Sequence, residues 1–265
     1  MQLLVSVRSA AEVEAAVSGG ADIIDAKEPS NGSLGPVTTA VLSEIMQAVP
    51  ATLPLSIALG DVSRRAEVSQ AIAAIPVRCG SGDSYVKLGF AGVASPQQIR
   101  ALLDEGRKAA ACHPSRFLVV AVAYADAELA GTIDPEQLCR AAVASGAAAV
   151  LVDTWTKSSG NLLTSMSLQA LTKLRADVKQ HGLLAAFAGR LEPRHLALVS
   201  AVAPDIVGVR GAACIGGRHG VVSHLLVRQL RHRLSGTSSD FVRNASSEQA
   251  LGETPDAPAN LSSMG

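Results

Sequence analysis

The sequence predicts a single (β/α)₈ barrel, and three observations carry that expectation. Short apolar runs alternate with amphipathic stretches as far as residue 233, and there are eight of each. Strict alternation of this kind implies parallel strands joined by helical crossovers. Hydrophobic residues make up 48% of the chain but aromatics only 3%, so Ala, Val, Leu and Ile must build the core. Small branched residues suit strands buried on both faces. A chain of 265 residues also matches one barrel in size.

The strands expected in order are LLVSV (3–7), ADIIDA (21–26), LPLSIAL (53–59), SYVKLG (84–89), FLVVAVA (117–123), AAVLVD (148–153), GLLAAFA (182–188) and DIVGV (205–209). Helices are expected between and after them, over 9–18, 37–48, 65–75, 96–109, 135–145, 165–180, 191–201 and about 221–233. Ser95-Pro96 and Asp134-Pro135 are start signals, a capping side chain followed by proline at the first helical position. Small-residue turns (SGGAD, SGAAA, VAPD) end helices just before strands. An open doubly wound sheet is the rival architecture. It would often carry a Gly-rich turn after its first strand, whereas RSAAEVEAAV holds no glycine. Beyond Leu234 the composition turns polar, without an apolar period. The expected division is therefore a barrel over 1–234 and a flexible tail over 235–265.

Charge excludes several function classes. Lys+Arg and Asp+Glu are both 23, so no basic excess points to nucleic acid or a membrane surface. Neither a signal peptide nor a membrane span is expected, and the expected location is the cytoplasm. Cys79, Cys112, Cys139 and Cys214 form no CxxC pair and read as reduced thiols. The six histidines show no metal spacing, and most read as helix or loop residues on the surface. No cofactor or metal is expected, and a homo-oligomer is compatible with the composition.

The chemistry is written in the lysines. There are six, at 27, 87, 108, 157, 173 and 179, against seventeen arginines. Lys108, Lys173 and Lys179 fall on expected helices. Lys27, Lys87 and Lys157 fall at or just past the C-terminal ends of strands two, four and six, the catalytic face of this architecture. Strand parity puts Asp25 and Lys27 on one face, Tyr85 and Lys87 on one face, and Leu151 and Asp153 on one face. Lys157 lies in the loop beyond Asp153. A Schiff base needs an amine that can lose its proton, which guanidinium does not do at usable pH. Clustered lysines beside carboxylates supply a nucleophile with proton donors and acceptors at hand. The competing reading pairs each lysine with a rim carboxylate and gives it no further role.

Barrels commonly bind phosphate with the loops after strands seven and eight. Here those loops read FAGRLEP and GVRGAACIGGRHG, so Gly189, Arg190, Arg210 and Gly211 are the candidate phosphate-binding residues. The loop EPSNGSLGP after strand two reads as a lid beside Lys27. Asp61 reads either as a carboxylate at the mouth or as a helix N-cap.

Taken together, GGADIIDAKEPSNGSLG, SYVKLG, LVDTWTKSSGNLL and PDIVGVRGAAC resemble the (5-formylfuran-3-yl)methyl phosphate synthase family, also called 4-(hydroxymethyl)-2-furancarboxaldehyde-phosphate synthase. The resemblance covers roughly residues 1–230, with the motifs in the same order. It implies a (β/α)₈ lyase that condenses two glyceraldehyde 3-phosphate molecules, with loss of phosphate and water. Such enzymes serve methanofuran-type cofactor synthesis in the one-carbon metabolism of methanogens and methylotrophs. It also implies that Lys27 forms the Schiff base, that Lys87 accepts a proton, and that Asp25, Asp153 and Lys157 belong to the pocket. From the residues alone, another class I aldolase on a phosphorylated sugar, or a non-catalytic phosphosugar-binding barrel, stays open.

Overall fold

The computed structural model describes residues 1–156 and 160–248, with side chains as far as residue 236. Eight strands close into a barrel in sequence order. They are β1 Gln2–Val7, β2 Ile23–Ala26, β3 Leu55–Asp61, β4 Ser84–Gly89, β5 Leu118–Tyr124, β6 Ala149–Asp153, β7 Leu184–Phe187 and β8 Ile206–Val209. Every neighbouring pair is parallel, and β1 closes the ring on β8 with Leu4 opposite Gly208.

The helices are α1 Val13–Ser18, α2 Thr39–Ala48, α3 Arg65–Ala73, α4 Pro96–Cys112, α5 Ala127–Ala130, α6 Pro135–Ser145, α7 Leu162–Ser165, α8 Leu168–Gln180, α9 Leu196–Val202 and α10 His224–Glu248. The two Pro-led starts occur where expected: Ser95 and Asp134 each accept a hydrogen bond from the backbone N–H three residues on. The helix expected over 165–180 is α8, which starts at Leu168 because Ser167 caps it, accepting from Ala170 N–H; the short α7 precedes it. The last helix starts later than expected. Val221–Val222 instead pairs antiparallel with Cys214–Ile215, forming strands β10 and β9 of a small hairpin. Gly216 and Gly217 turn that hairpin with φ of 83° and 72°, left-handed backbone that glycine adopts without a Cβ penalty. No proline interrupts 224–248, and α10 carries on past residue 234 into the stretch read as a tail. Residues 249–265 lie outside the described residues.

Strand alternation sorts the core into two layers. Val5, Val7, Ile24, Val86, Leu88 and Val152 face outward and pack with the helices. Ile23, Tyr85, Val120, Leu151, Ala186 and Ile206 fill the interior. Beneath them, at the N-terminal ends of the strands, Arg78 ties together the two segments that lead into β3 and β4. Its guanidinium donates to Leu53 O (2.7 Å), Pro50 O (3.2 Å), Gly82 O and Ser84 Oγ (both 3.3 Å). His113 is the exception among the histidines, most of which are expected at the surface: it is buried beside this network. Ser115 N–H donates to His113 Nδ1, so Nε2 carries the proton and donates to Ile75 O at 2.9 Å. All four cysteines are free, Cys79 and Cys112 exposed and Cys139 and Cys214 buried. Among the described residues no helix is long and apolar enough to cross a membrane.

Candidate active site

A cavity of about 480 Å³ opens at the C-terminal ends of the strands, within the usual range for small-molecule sites. The parity read from the sequence places its walls. Asp25 and Lys27 from β2 and its extension, Tyr85 and Lys87 from β4, and Leu151 and Asp153 from β6 all line it. The opposite wall is small and apolar, with Ala186, Ala188 and Gly208 from β7, its extension and β8. The space for substrate is therefore made by short side chains facing a charged wall.

Lys27 and Lys87 are only 8% and 2% exposed, although both carry an amine. Burial of charge is costly unless a counter-charge is supplied. Lys87 Nζ lies 2.6 Å from Asp25 Oδ1, and Lys27 Nζ lies 3.8 Å from Asp153 Oδ2. Lys87 reaches across β3 to Asp25 because that strand presents only Ser56 and Ala58 to the interior. Asp25 is fixed from the other side by Ser6, its register partner on β1, whose hydroxyl donates to Oδ2 at 2.7 Å. Asp153 Oδ1 accepts from Thr154 N–H at 2.7 Å.

Burial alone would raise the Asp25 carboxyl. The charges of Lys87 and Lys27, with bonds from Lys87 and Ser6, outweigh it and hold the group below the ordinary 3.8. The unfolded chain then takes up the proton first. The stabilisation is complete above the ordinary value and is lost as pH falls through the lower folded one. A carboxyl ¹³C titration is expected to find Asp25 still ionised at pH 3.8; protonation above that pH would contradict this arrangement.

The two arginines expected at the phosphate loops behave differently. Arg190 is exposed at the cavity mouth and makes no hydrogen bond or ion pair among the described residues. Its φ is 51°, left-handed backbone that a residue with a Cβ seldom adopts and that recurs at ligand clamps. It follows Gly189, whose φ is 105° and where an added Cβ would stand 3.1 Å from Thr154 Cγ2. Gly211 lines the cavity at an ordinary negative φ, so its backbone makes no demand for glycine.

Arg210 is buried, and all its N–H groups are engaged within the chain. Nη1 and Nη2 grip Glu12 at 2.6 and 3.0 Å, and further bonds go to Ser6 O, Gly220 O and Arg218 O. It braces the loop after β8 against β1 instead of presenting donors to the cavity. Lys157 lies outside the described residues.

Asp61 lies exposed at the C-terminal end of β3, at the barrel mouth, and is not an N-cap. Its Oδ1 accepts from Tyr124 Oη at 2.7 Å and from Ala91 N–H at 2.9 Å, while Arg64 occupies the N-cap of α3. Burial and the Asp61 charge push the Tyr124 hydroxyl well above its ordinary value. Ser33 donates to the same hydroxyl at 3.2 Å. The loop read as a lid is thus pinned by Ser33 and by the buried Leu34. A Cβ at Gly89 would stand 2.6 Å from Tyr124 Oη. Gly89→Ala is accordingly expected to destabilise the fold by about 1–3 kcal/mol in urea unfolding; an unchanged midpoint would show the network to be slack.

The sequence family decides what this arrangement belongs to. The family model described as 4-HFC-P synthase matches residues 3–231. The chain belongs to the 4-HFC-P synthase family. Named (5-formylfuran-3-yl)methyl phosphate synthase, a Methanothermobacter thermautotrophicus relative is 34% identical over 245 residues, covering 88% of this chain and 99% of its own. A Methanocaldococcus jannaschii relative of the same name is 33% identical over 234 residues, covering 87% and 98%. Solved structures confirm the barrel fold. Phosphoribosyl anthranilate isomerase from Thermotoga maritima superposes with a TM-score of 0.59 at 14% identity, over 89% of this chain and 99% of that one. For 3-hexulose-6-phosphate synthase from Salmonella typhimurium the TM-score is 0.57 at 16% identity, over 89% and 100%.

In this member of the 4-HFC-P synthase family, sequence reasoning missed Ser6, Glu12, Tyr124 and Arg218. Ser6 carried a usable signal, since it sits on the inward parity of β1 two residues after Leu4. Arg218 sat among the glycines of the β8 loop. Glu12 accepts locally from Arg8 N–H, but it meets Arg210, as Tyr124 meets Asp61, only through contacts distant in sequence.

Proposed function

We propose that the chain is a (5-formylfuran-3-yl)methyl phosphate synthase that joins two glyceraldehyde 3-phosphate molecules through a Schiff base on Lys27. The supporting observation is the pairing of two buried lysines with two buried carboxylates in one cavity. The names of the relatives supply the product, and the cavity supplies groups suited to making it.

Lys27 is the better nucleophile of the two by position. It is nearer the mouth, and its counter-ion stands at 3.8 Å, whereas Lys87 is held against Asp25 at 2.6 Å. Lys27 Nζ attacks the aldehyde carbon and water leaves, giving an iminium. That cation acidifies the adjacent C–H, and Lys87, as the neutral amine, takes the proton as general base beside the ionised Asp25. The released electron pair forms an enamine. The enamine expels phosphate from the neighbouring carbon or attacks the carbonyl carbon of the second triose. Ring closure and dehydration complete the balance: two trioses lose one phosphoric acid and two waters. Gly189 and Arg190 bind a substrate phosphate at the mouth.

The test combines product and intermediate. Glyceraldehyde 3-phosphate as sole substrate is expected to yield furan absorbance, and borohydride is expected to label Lys27 during turnover. Retro-aldol cleavage of a sugar phosphate without furan formation would favour another class I aldolase.

A further inference from the structure

Cavity charge identifies a residue that neither the motifs nor the family comparison assigns. Five cations line the cavity: Lys27, Lys87, Arg190, Arg210 and Arg218. Lys27 faces Asp153, Lys87 faces Asp25 and Arg210 is locked on Glu12. The lining carboxylate of Glu192 is paired with Arg194 at 2.9 Å. Arg190 and Arg218 are the two lining cations with no ion pair among the described residues. Burial disfavours the Arg218 charge, and Arg210 and Arg190 repel it; the carboxylates of Asp153 and Glu28 attract it without forming an ion pair. Two neighbouring guanidiniums without an ion pair among the described residues, at the mouth of the cavity, form a site for a dianion.

Arg218 is also tied to the loop behind Lys27. Its Nη2 donates to Pro29 O at 2.8 Å and to Gly32 O at 2.6 Å. Its Nε and Nη1 make no hydrogen bond among the described residues, leaving three N–H donors for a ligand. Arg210 holds the other side of this residue by donating to Arg218 O at 3.1 Å. One guanidinium thus grips the 28–35 loop with one nitrogen and offers the others to the cavity.

We propose that Arg218, with Arg190, binds a phosphate group of the substrate, and that Arg218 passes that binding on to the loop following Lys27. The proposal rests on the reading of the cavity as a phosphotriose site. It makes Arg218 a coupling residue, because phosphate capture steadies the backbone that carries the nucleophile. Arg190 contributes affinity without that connection. Lysine is a poor replacement for Arg218, since an ammonium bonded to two carbonyls keeps a single N–H for an oxyanion where the guanidinium keeps three in a planar fork.

Hydrogen–deuterium exchange of the full chain with inorganic phosphate tests this without requiring any chemistry. In the wild type, phosphate is expected to slow exchange in the peptide covering residues 28–35. Arg218→Ala and Arg218→Lys are expected to abolish that slowing, with near-native circular dichroism as the check on folding. Arg190→Ala is expected to need more phosphate for the same slowing. Slowing that survives in both Arg218 variants, or that never occurs in the wild type, overturns the proposal.

A second measurement joins the coupling to reactivity. Phosphite dianion is expected to speed borohydride trapping of unphosphorylated glyceraldehyde by about 5-fold or more in the wild type. The ratio of rates with and without phosphite is expected to fall to near unity in Arg218→Ala; an unchanged ratio counts against Arg218. If phosphate protects the loop but no Lys27 adduct forms with glyceraldehyde 3-phosphate, the condensation reading falls and the Arg218 assignment stands. If the adduct forms but phosphate leaves the loop unprotected, the Arg218 assignment falls and the condensation reading stands.

Discussion

Lys27→Arg is expected to abolish the borohydride-trapped adduct and to lower turnover by roughly 10⁴-fold or more, the scale seen when a covalent nucleophile is removed. The choice of arginine matters. It keeps a cation opposite Asp153, so the buried carboxylate is not left alone and the fold is expected to survive. What is lost is an amine able to shed a proton and form an imine. Thermal unfolding close to wild type together with lost trapping would separate chemistry from stability. Lys87→Ala serves as the counterpart. It is expected to keep the trapped adduct on Lys27 and to block the following proton transfer. Peptide mapping that finds the adduct on Lys87 would exchange the two roles.

The largest expected loss of stability comes from Glu12→Ala, at about 3–5 kcal/mol. Glu12 and Arg210 are 3% and 7% exposed and meet in a two-pronged contact. Truncating the carboxylate leaves a guanidinium in the interior with its charge unmatched. The loss is thus chiefly the penalty of that orphaned charge. Replacing both partners together with apolar residues of similar volume is expected to recover much of the loss. Urea unfolding of Glu12→Ala and of the double replacement Glu12→Leu/Arg210→Met checks this. A single variant within about 0.5 kcal/mol of wild type would show that water reaches the pair.

The barrel and the heart of its cavity were legible in the sequence for one reason: both follow a local period. Alternation along a strand fixes which residues point inward, so Asp25, Lys27, Lys87 and Asp153 could be placed together from their spacing alone. Other features have no local period. Glu12 and Arg210 lie 198 positions apart and meet only because β8 closes beside β1. Arg210 and Arg218 look alike in sequence, yet one is consumed as a brace and the other faces the cavity. Asp61 illustrates the same limit, since its partner Tyr124 lies two strands away on β5. The β9–β10 hairpin has strands of two residues, too short for alternation to register, although its Gly-Gly turn was a signal.

Arg78 has a consequence of another kind. Its network and that of His113 hold the N-terminal end of the barrel, while every group assigned to chemistry lies at the opposite end. A lineage carrying this fold can therefore adjust its tolerance of heat at one pole and its choice of substrate at the other. Neither change has to be undone by the other in later generations.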